Sequence, residues 1–257
     1  MDPRGSVVDR RLEGVRRIIA VGGGKGGIGK SLLASTLALT LAEEGRRAGL
    51  LDLDLTGPSD HVVLGIDACP PREDFGVEPR LVHGIRFMSI VAFVGSRPTP
   101  LRGVDVSNAL LELLAITRWG TLDVLVVDMP PGLGDAMLDA VRRIPRAEHL
   151  VVATGSRVVL ETVRKHLQLL RRIEAPVVGL VENMSRGGSA AVRALADELE
   201  VPLLGVLPFD AELEEATGDV ARLSRTSVVG AVRDLARGLH GRIRRVRGSA
   251  GSAASGS

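Results

Sequence analysis

Two lysines lie five positions apart in a stretch that is otherwise mostly glycine, GGGKGGIGKS, from Gly22 to Ser31. Lysine and arginine together number 33, yet only Lys25, Lys30 and Lys165 are lysines. An arginine head group is a planar fork, whereas lysine carries a compact point charge on a flexible stem that can enter a tight ring of backbone amides. Two of three lysines in one glycine-rich loop therefore indicate a chemical role for that loop.

The eight residues from Gly24 to Ser31, GKGGIGKS, satisfy the phosphate-binding pattern G-x-x-x-x-G-K-[ST]. A strand-like run, RIIAV, precedes them, and a helical pattern that Gly45 can end follows them. In such a loop the backbone N–H groups converge on phosphate oxygens, Lys30 reaches the β and γ phosphates, and the Ser31 hydroxyl ligates Mg²⁺. A glycine-rich turn that only packs helix on strand is the alternative, and the length of the pattern makes it much the weaker one. The predicted nucleotide-binding residues of the loop are Gly24, Gly26, Gly27, Ile28, Gly29, Lys30, Ser31 and Leu32.

Three aspartates follow apolar runs and are candidates to face the phosphates and the metal. Asp128 ends VLVVD and precedes the turn-rich MPPGLGD, so we predict that it is the Walker B aspartate that holds the magnesium shell. The alternative for Asp128 is an aspartate that simply caps a loop. Asp52 and Asp54 lie in LLDLDLTGPSD, where the carboxyl ends of parallel strands line a crevice. One of these two should face the phosphates.

Short apolar runs alternate with stretches of helical periodicity along the chain. The runs predicted as strands are RIIAV (17–21), AGLLDLD (48–54), LDVLVVD (122–128), HLVVAT (149–154), APVVGLV (175–181) and PLLGVL (202–207). Strands buried on both faces and separated by helices predict an α/β fold with a doubly wound, mostly parallel sheet flanked by helices. We expect an N-terminal extension over 1–16, a single domain over 17–247 and a low-complexity, disordered tail over 248–257.

Composition narrows the class of protein. The 257 residues carry a formal net charge of +2 and are 45% hydrophobic, which is ample for a core and gives little reason to expect a nucleic-acid partner. Only four Phe and one Trp are present, so base-stacking platforms are not expected. A charged N-terminus and the lack of a long apolar run predict a soluble, cytoplasmic protein. Lys165 and the five histidines show no ligand-like spacing, and we assign them no role.

Four motifs together resemble the Mrp family within the MinD/ParA-like ATPases, over roughly three quarters of the chain. They are GKGGIGKS, LLDLDLTGPS, LDVLVVDMPPGLGD and GLVENMS. The resemblance implies an ATPase that forms a homodimer around ATP and Mg²⁺. Lys25 would reach across that dimer to the phosphates of the other subunit, Asp54 would position the attacking water, and Asp52 would lie near the magnesium with Ser31 and Asp128. Lys25, Lys30 and Asp54 are then the expected catalytic residues.

The same resemblance implies where the base and the switch segments lie. Asn183 in ENMS is similar to the asparagine that reads adenine, and the segment from Pro208 to Asp210 would lie near the base. The lack of an [NT]KxD motif favours ATP over GTP. Thr56 to Ser59 would form the first switch and Pro130 to Asp135 the second.

The chain departs from the family pattern in ways that bear on its role. Mrp-type iron-sulfur carriers usually place C-x-x-C shortly after ENMS, whereas this chain continues RGGSAAVRALADELEVP, and Cys69 is its one cysteine. Two copies supply two thiols, too few for a four-thiolate cluster, so that either no cluster is carried or partners supply ligands. Cys69 itself is expected to be an inert small residue. Three residues near the nucleotide also differ from the family: Leu32 and Leu133 replace threonines, and Thr56 replaces a tyrosine. We still expect nucleotide binding, because the lysine, serine and aspartate set is complete, but with slow turnover.

The C-terminal segment leaves a second function open. Val232, Leu235, Leu239 and Ile243 share a helical stripe, and five arginines crowd the end of the segment, namely Arg237, Arg242, Arg244, Arg245 and Arg247. Packing on the sheet is the expected role of the stripe, with contact to anionic lipid or DNA as the alternative. The sequence thus predicts an Mrp-like ATPase of iron-sulfur cluster assembly, with a client or other protein partner. The alternative is a MinD/ParA-like positioning or partitioning ATPase, and a metabolic P-loop kinase is a weaker third.

Overall fold

A computed structural model of the protein describes residues 4–67, 72–73, 76–94 and 104–249. Cys69 and residues 250–257 of the expected tail lie outside the described residues.

Ten strands are present within the described ranges. They are β1 (Ile18–Gly22), β2 (Ala48–Asp52), β3 (Arg72–Glu73), β4 (Val77–Glu78), β5 (Arg80–Val82), β6 (Ile85–Met88), β7 (Val124–Asp128), β8 (Glu148–Ala153), β9 (Val177–Ser185) and β10 (Leu203–Pro208). Eight of them form one sheet in the order β10-β9-β8-β1-β7-β2-β6-β5, and β3 pairs with β4. All neighbours in the large sheet are parallel except β5, which is antiparallel to β6 at one edge.

Eleven helices connect and flank the strands in the same described ranges. They are α1 (Arg4–Leu12), α2 (Lys30–Glu43), α3 (Asp60–Val63), α4 (Val91–Val94), α5 (Val104–Ile116), α6 (Asp135–Arg143), α7 (Arg157–Arg172), α8 (Ala190–Glu198), α9 (Leu213–Ala216), α10 (Val220–Leu223) and α11 (Ser227–Ser249). None of the described helices is both long enough and apolar enough to cross a bilayer. The predicted fold class, a mostly parallel sheet between helices, is confirmed.

The central strands β1, β2 and β7 are buried along their whole length, which is why they read as unbroken apolar runs. Helix α2 is also buried over most of its surface, because α11 packs on its outer side. The carboxyl ends of β1, β7 and β2 lie side by side, since Val21 pairs with Asp128 and Asp128 pairs with Asp52. The loop after β1 and these two aspartates therefore share one edge of the sheet.

The two ends of the chain pack onto this sheet. The stretch expected as an N-terminal extension contributes α1, which lies against α5 and buries Val8 and Leu12 in the core. At the other end, Val232, Leu235 and Leu239 of α11 are buried in the same core, as expected for a stripe that packs on the sheet. These three residues are not available to a membrane, and the side chains of Ile243 and of Arg242, Arg244, Arg245 and Arg247 lie outside the described part of the structure.

Candidate nucleotide-binding site

The loop between β1 and α2 has the backbone of a phosphate cradle. Gly27 and Gly29 adopt φ values of 75° and 84°, a left-handed conformation that side chains with a β-carbon disfavour. A β-carbon at Gly26 or Gly27 would meet no atom within 4 Å, so this part of the loop is open. At Gly24 the same atom would lie 2.5 Å from the carbonyl oxygen of Thr162 in α7, which shows that only glycine fits between loop and helix. The glycines thus serve both loop conformation and packing.

Lys30 and Ser31 begin α2 and face the end of β7. The Lys30 side chain is buried, with 6% relative exposure. The Ser31 hydroxyl donates a hydrogen bond of 2.5 Å to Oδ2 of Asp128. Helix α2 directs its N-terminus, and with it the positive end of its dipole, towards the same loop. This end of the sheet therefore offers a cation, a hydroxyl and free N–H groups to an anion.

Asp52 and Asp128 are neighbours across the parallel pair β2 and β7, and both are fully buried. Burial raises the pKa of Asp128 to about 6, although Lys30 and the Ser31 hydroxyl act in the opposite direction. Burial and the charge of Asp128 raise the pKa of Asp52 well above its usual range. The direction of both pKa shifts means that burial outweighs the charge of Lys30, the nearby cation that favours the ionised form of Asp128.

Asp54 lies just beyond the end of β2 and organises the segment that follows it. Its Oδ1 accepts hydrogen bonds of 3.0 Å from the Thr56 hydroxyl and from the Gly57 N–H, while its own N–H donates to Asp52. The segment 56–59, expected as the first switch, is thereby tied to Asp54. The second expected switch, 130–135, joins Asp128 to the N-terminus of α6.

Asp60 was missed by the sequence reasoning, although it belongs to the same group of carboxylates. It is fully buried in the first turn of α3, and its Oδ1 accepts a hydrogen bond of 2.7 Å from the Ser35 hydroxyl of α2. A carboxylate oxygen from each of Asp52, Asp60 and Asp128 lies within 4.8 Å of the others. A third aspartate shortly after DLD was the available signal, but nothing in the sequence indicates that α3 folds back onto α2.

Lys25 contrasts with Lys30, because its side chain is exposed at the tip of the loop. It lines a cleft of about 550 Å³ together with the ends of β8 and β9. No ion pair of Lys25 is found within the described part of the chain. The Lys25 side chain is therefore accessible to solvent, whereas that of Lys30 is buried.

The residues expected near the base are occupied with contacts inside the protein. Asn183 is buried, and its Nδ2 donates a hydrogen bond of 2.9 Å to the carbonyl oxygen of Ile28 in the loop. Asp210 accepts hydrogen bonds from the N–H and the hydroxyl of Ser227, so it caps the N-terminus of α11. Pro208 ends β10 two residues before Asp210. That these residues contact adenine stays a prediction. Their hydrogen bonds show that Asn183 and Asp210 also stabilise the fold.

Three positions near the site depart from the family pattern, and they are either packed against the core or exposed. Leu32 and Leu133 are partly buried and pack against the core, so that each exchanges a hydroxyl for apolar contact area. Thr56 is exposed, and its hydroxyl is used by Asp54.

Gly29 offers a test of the loop structure. A β-carbon there would lie 2.1 Å from Nδ2 of Asn183, and the φ of 84° adds backbone strain. We expect Gly29→Ala to lower the free energy of unfolding by about 2 to 4 kcal/mol, because the side chain of Asn183 must move and its hydrogen bond to Ile28 is lost. Thermal or denaturant unfolding of the nucleotide-free protein measures this change. Gly26→Ala is the matched control, since a methyl group there meets open space, and an equal loss in both variants would contradict the expected role of the Asn183 contact.

Comparison with known protein families gives a P-loop NTPase family, as expected from the candidate nucleotide-binding site. Residues 14–237 match the ParA family, described as NUBPL iron-transfer P-loop NTPase. The chain belongs to this family. An iron-sulfur cluster carrier protein of Pseudomonas fragi is 40% identical over 221 residues, covering 79% of this chain and 77% of the relative. An iron-sulfur cluster carrier protein of Escherichia coli K12 is 38% identical over 219 residues, covering 79% of this chain but only 59% of the relative. The chain thus spans about three fifths of the length of some of its relatives.

Two solved structures share the fold of this chain. A nucleotide-binding protein of Archaeoglobus fulgidus in complex with ADP superposes with a TM-score of 0.71 at 28% identity, covering 86% of this chain and 93% of that one. The cell division ATPase MinD of Pyrococcus furiosus superposes with a TM-score of 0.65 at 22% identity, covering 88% of this chain and 99% of the other. The MinD comparison establishes a shared fold.

Proposed function

We propose that this P-loop NTPase family member is a slow ATPase that works as a homodimeric switch in iron-sulfur cluster transfer. The observation that carries the proposal is the arrangement of Lys30, Ser31 and Asp128, which face one another where the glycine loop meets the carboxyl end of β7. The relatives named as iron-sulfur cluster carriers and the neighbour in complex with ADP support it.

Each residue of the site has a part in ATP hydrolysis. The free N–H groups of Gly26 to Lys30 would bind the phosphate oxygens, and Lys30 would neutralise charge on the β and γ phosphates. Magnesium, when bound, would supply positive charge that offsets the negative charge of the phosphates. The Ser31 hydroxyl would ligate it, with Asp52 and Asp128 holding its surrounding waters. Ser31 can ligate the metal and still donate its hydrogen bond to Asp128, because the hydroxyl oxygen keeps its lone pairs.

We propose that Asp54 orients the water that attacks the γ phosphate. Its carboxylate lies beyond the end of β2, next to the fully buried Asp52, and its Oδ1 is already fixed by Thr56 and Gly57. A carboxylate held in this way can accept a hydrogen bond from a water in line with the γ phosphate, which orients the water for attack. Rate then depends on whether the 56–59 segment keeps Asp54 in place.

Lys25 requires a second subunit in this proposal. The exposed ammonium at the tip of the loop is suited to phosphates approaching from another protein, and it would add the charge that stabilises the transition state. Hydrolysis and dimerisation are thereby coupled: ATP brings two loops together, and loss of the γ phosphate weakens the attraction between them.

A four-thiolate iron-sulfur cluster would need ligands beyond those that two copies of this chain supply. A four-thiolate cluster exceeds the two thiols that a dimer supplies, since Cys69 is the one cysteine of each chain. We therefore propose that partners supply the remaining ligands and that the ATP-dependent dimer controls when the cluster is passed on.

The first experiment is anaerobic reconstitution of the purified protein with iron and sulfide, measured beside its ATPase rate and its ATP-dependent dimerisation. We expect slow hydrolysis, a dimer in ATP and less than about one tenth of a cluster per dimer, because ligands are missing. Lys30→Ala is the control for hydrolysis and should bind ATP at least about 100-fold more weakly. A stoichiometric cluster that Cys69→Ser removes would show instead that the dimer itself carries the cluster. Absence of both hydrolysis and ATP binding would contradict the switch.

A further inference from the structure

The three buried aspartates converge from different parts of the chain. Asp52 ends β2, Asp128 ends β7, and Asp60 lies in the first turn of α3. All three side chains are fully buried, and one carboxylate oxygen of each lies within 4.8 Å of the others. Opposite oxygens around Mg²⁺ are about 4.2 Å apart and adjacent ones about 3 Å, given metal–oxygen distances of 2.0 to 2.1 Å. The cluster is therefore close to the size of a cation shell.

Charge within the group is unbalanced. The charged groups that act on the cluster from the packed elements are Lys30 of α2 and Asp54 beyond β2. One ammonium thus faces three buried carboxylates and a fourth nearby. Buried charges are normally paired or bound to metals, so further positive charge would stabilise the ionised form of these carboxylates.

Two oxygens of the cluster have no partner, which points to a ligand more directly than proximity does. Asp60 Oδ2 and Asp128 Oδ1 are buried and accept no hydrogen bond. The other oxygen of each is bonded to a serine, Ser35 for Asp60 and Ser31 for Asp128, which fixes the orientation of both carboxylates. A buried polar atom left without a partner costs about 1 to 3 kcal/mol, and more when it is charged. Both oxygens are therefore oriented by the serines but lack a donor or a cation from the protein itself.

We propose that Asp52, Asp60 and Asp128 bind a divalent cation in the nucleotide-free protein, with Asp60 as a direct ligand. Carboxylate oxygens favour the hard cations Mg²⁺ and Mn²⁺, and three of them supply enough charge for binding without phosphates. Ser31 lies beside this site through its hydrogen bond to Asp128, so phosphates bound by the loop would be able to supply further oxygen ligands. The site shares Asp52 and Asp128 with the proposed ATPase. Its test uses no nucleotide, so that failure of this inference and failure of the ATPase proposal are distinguishable.

Titration of the chelator-treated, nucleotide-free protein with Mn²⁺ tests the proposal. Free Mn²⁺ gives a sharp electron paramagnetic resonance signal that broadens on binding, so both stoichiometry and affinity can be measured. We expect about one Mn²⁺ per chain, displaced by excess Mg²⁺. Asp60→Asn should raise the dissociation constant at least about tenfold, because it removes a direct ligand and one of the three carboxylate charges of the site. Asp67→Asn, which makes the same change at an exposed position, should leave the dissociation constant within about twofold.

Two outcomes would overturn the inference. If the parent protein binds no Mn²⁺ without nucleotide, the carboxylates are neutralised by protons instead. If Asp60→Asn binds Mn²⁺ as tightly as the parent, Asp60 is not a ligand. Circular dichroism checks that the variant folds, and Asp60→Ser, which removes the charge with a smaller side chain, is measured in its place if it does not.

Discussion

Replacing Lys25 by alanine should reduce ATP turnover at least about 100-fold while leaving the dissociation constant for ATP within about threefold. The exposed side chain of Lys25 lies at the tip of the loop, whereas the buried Lys30 faces the site of its own subunit. A cation that acts on the phosphates of a second subunit contributes little to binding by the monomer but much to the transition state, where a comparable arginine is worth 10³ to 10⁵ in rate. ATP-dependent dimerisation should be lost with turnover, and size-exclusion chromatography with light scattering measures it.

The chain offers a matched control for this variant. Lys165 is also an exposed lysine, but it lies on α7 and pairs with Glu161, so Lys165→Ala removes the same charge away from the loop. Turnover of that variant should stay within about twofold of the parent. Unchanged turnover in Lys25→Ala would remove the case for action across a dimer, and loss of ATP binding would place Lys25 in the site of its own subunit.

Much of the fold could be predicted because its central strands are buried on both faces. A strand of this kind is a continuous apolar run, which is why β1, β7 and β8 were found within one or two residues of their observed ends. The edge strand β5 and its neighbour β6 were not predicted. Residues of β5 are largely exposed, Leu81 to 72%, so that burial imposes no apolar pattern on them.

Strand β9 was predicted to end at residue 181 but continues to Ser185, and side-chain hydrogen bonds explain the difference. Glu182 and Asn183 are polar and read as the start of a loop, yet both are buried. Glu182 accepts a hydrogen bond from the N–H of Ser189, and Asn183 donates to the carbonyl oxygen of Ile28. Satisfied polar groups can lie inside a sheet, and a sequence pattern does not show which ones are satisfied.

The candidate site was predictable where it depends on strand ends and was missed where it depends on tertiary contacts. Asp52 and Asp128 follow apolar runs, and parallel pairing brings their carboxylates together. Asp60 joins them only because α3 packs on α2, with Ser35 as its partner 25 residues away. Asp210 likewise caps a helix that begins 17 residues later. Contacts between short, distant elements leave no periodic signal in the sequence.

Asp54→Ala should have the opposite effect on the dimer from Lys25→Ala: turnover falls at least about 100-fold, while the ATP-bound dimer persists. The change removes the carboxylate that we propose to orient the water and leaves Lys25, Lys30 and the loop intact, so that ATP can bring two subunits together but is not hydrolysed. Rapid-quench measurement of hydrolysis and light scattering in ATP over time test both halves of this expectation.

A structural explanation for such a loss of activity must be separated from the proposed role in catalysis. Asp54 also holds the 56–59 segment through Thr56 and Gly57, so alanine could act by releasing that segment rather than by freeing the water. Thr56→Val removes one of these two hydrogen bonds and keeps the carboxylate. If the segment alone matters, Thr56→Val should lose much of the same activity, whereas a role in positioning water predicts turnover within about fivefold of the parent. Normal hydrolysis by Asp54→Ala would reject both explanations and would transfer the positioning of the water to another residue of the site.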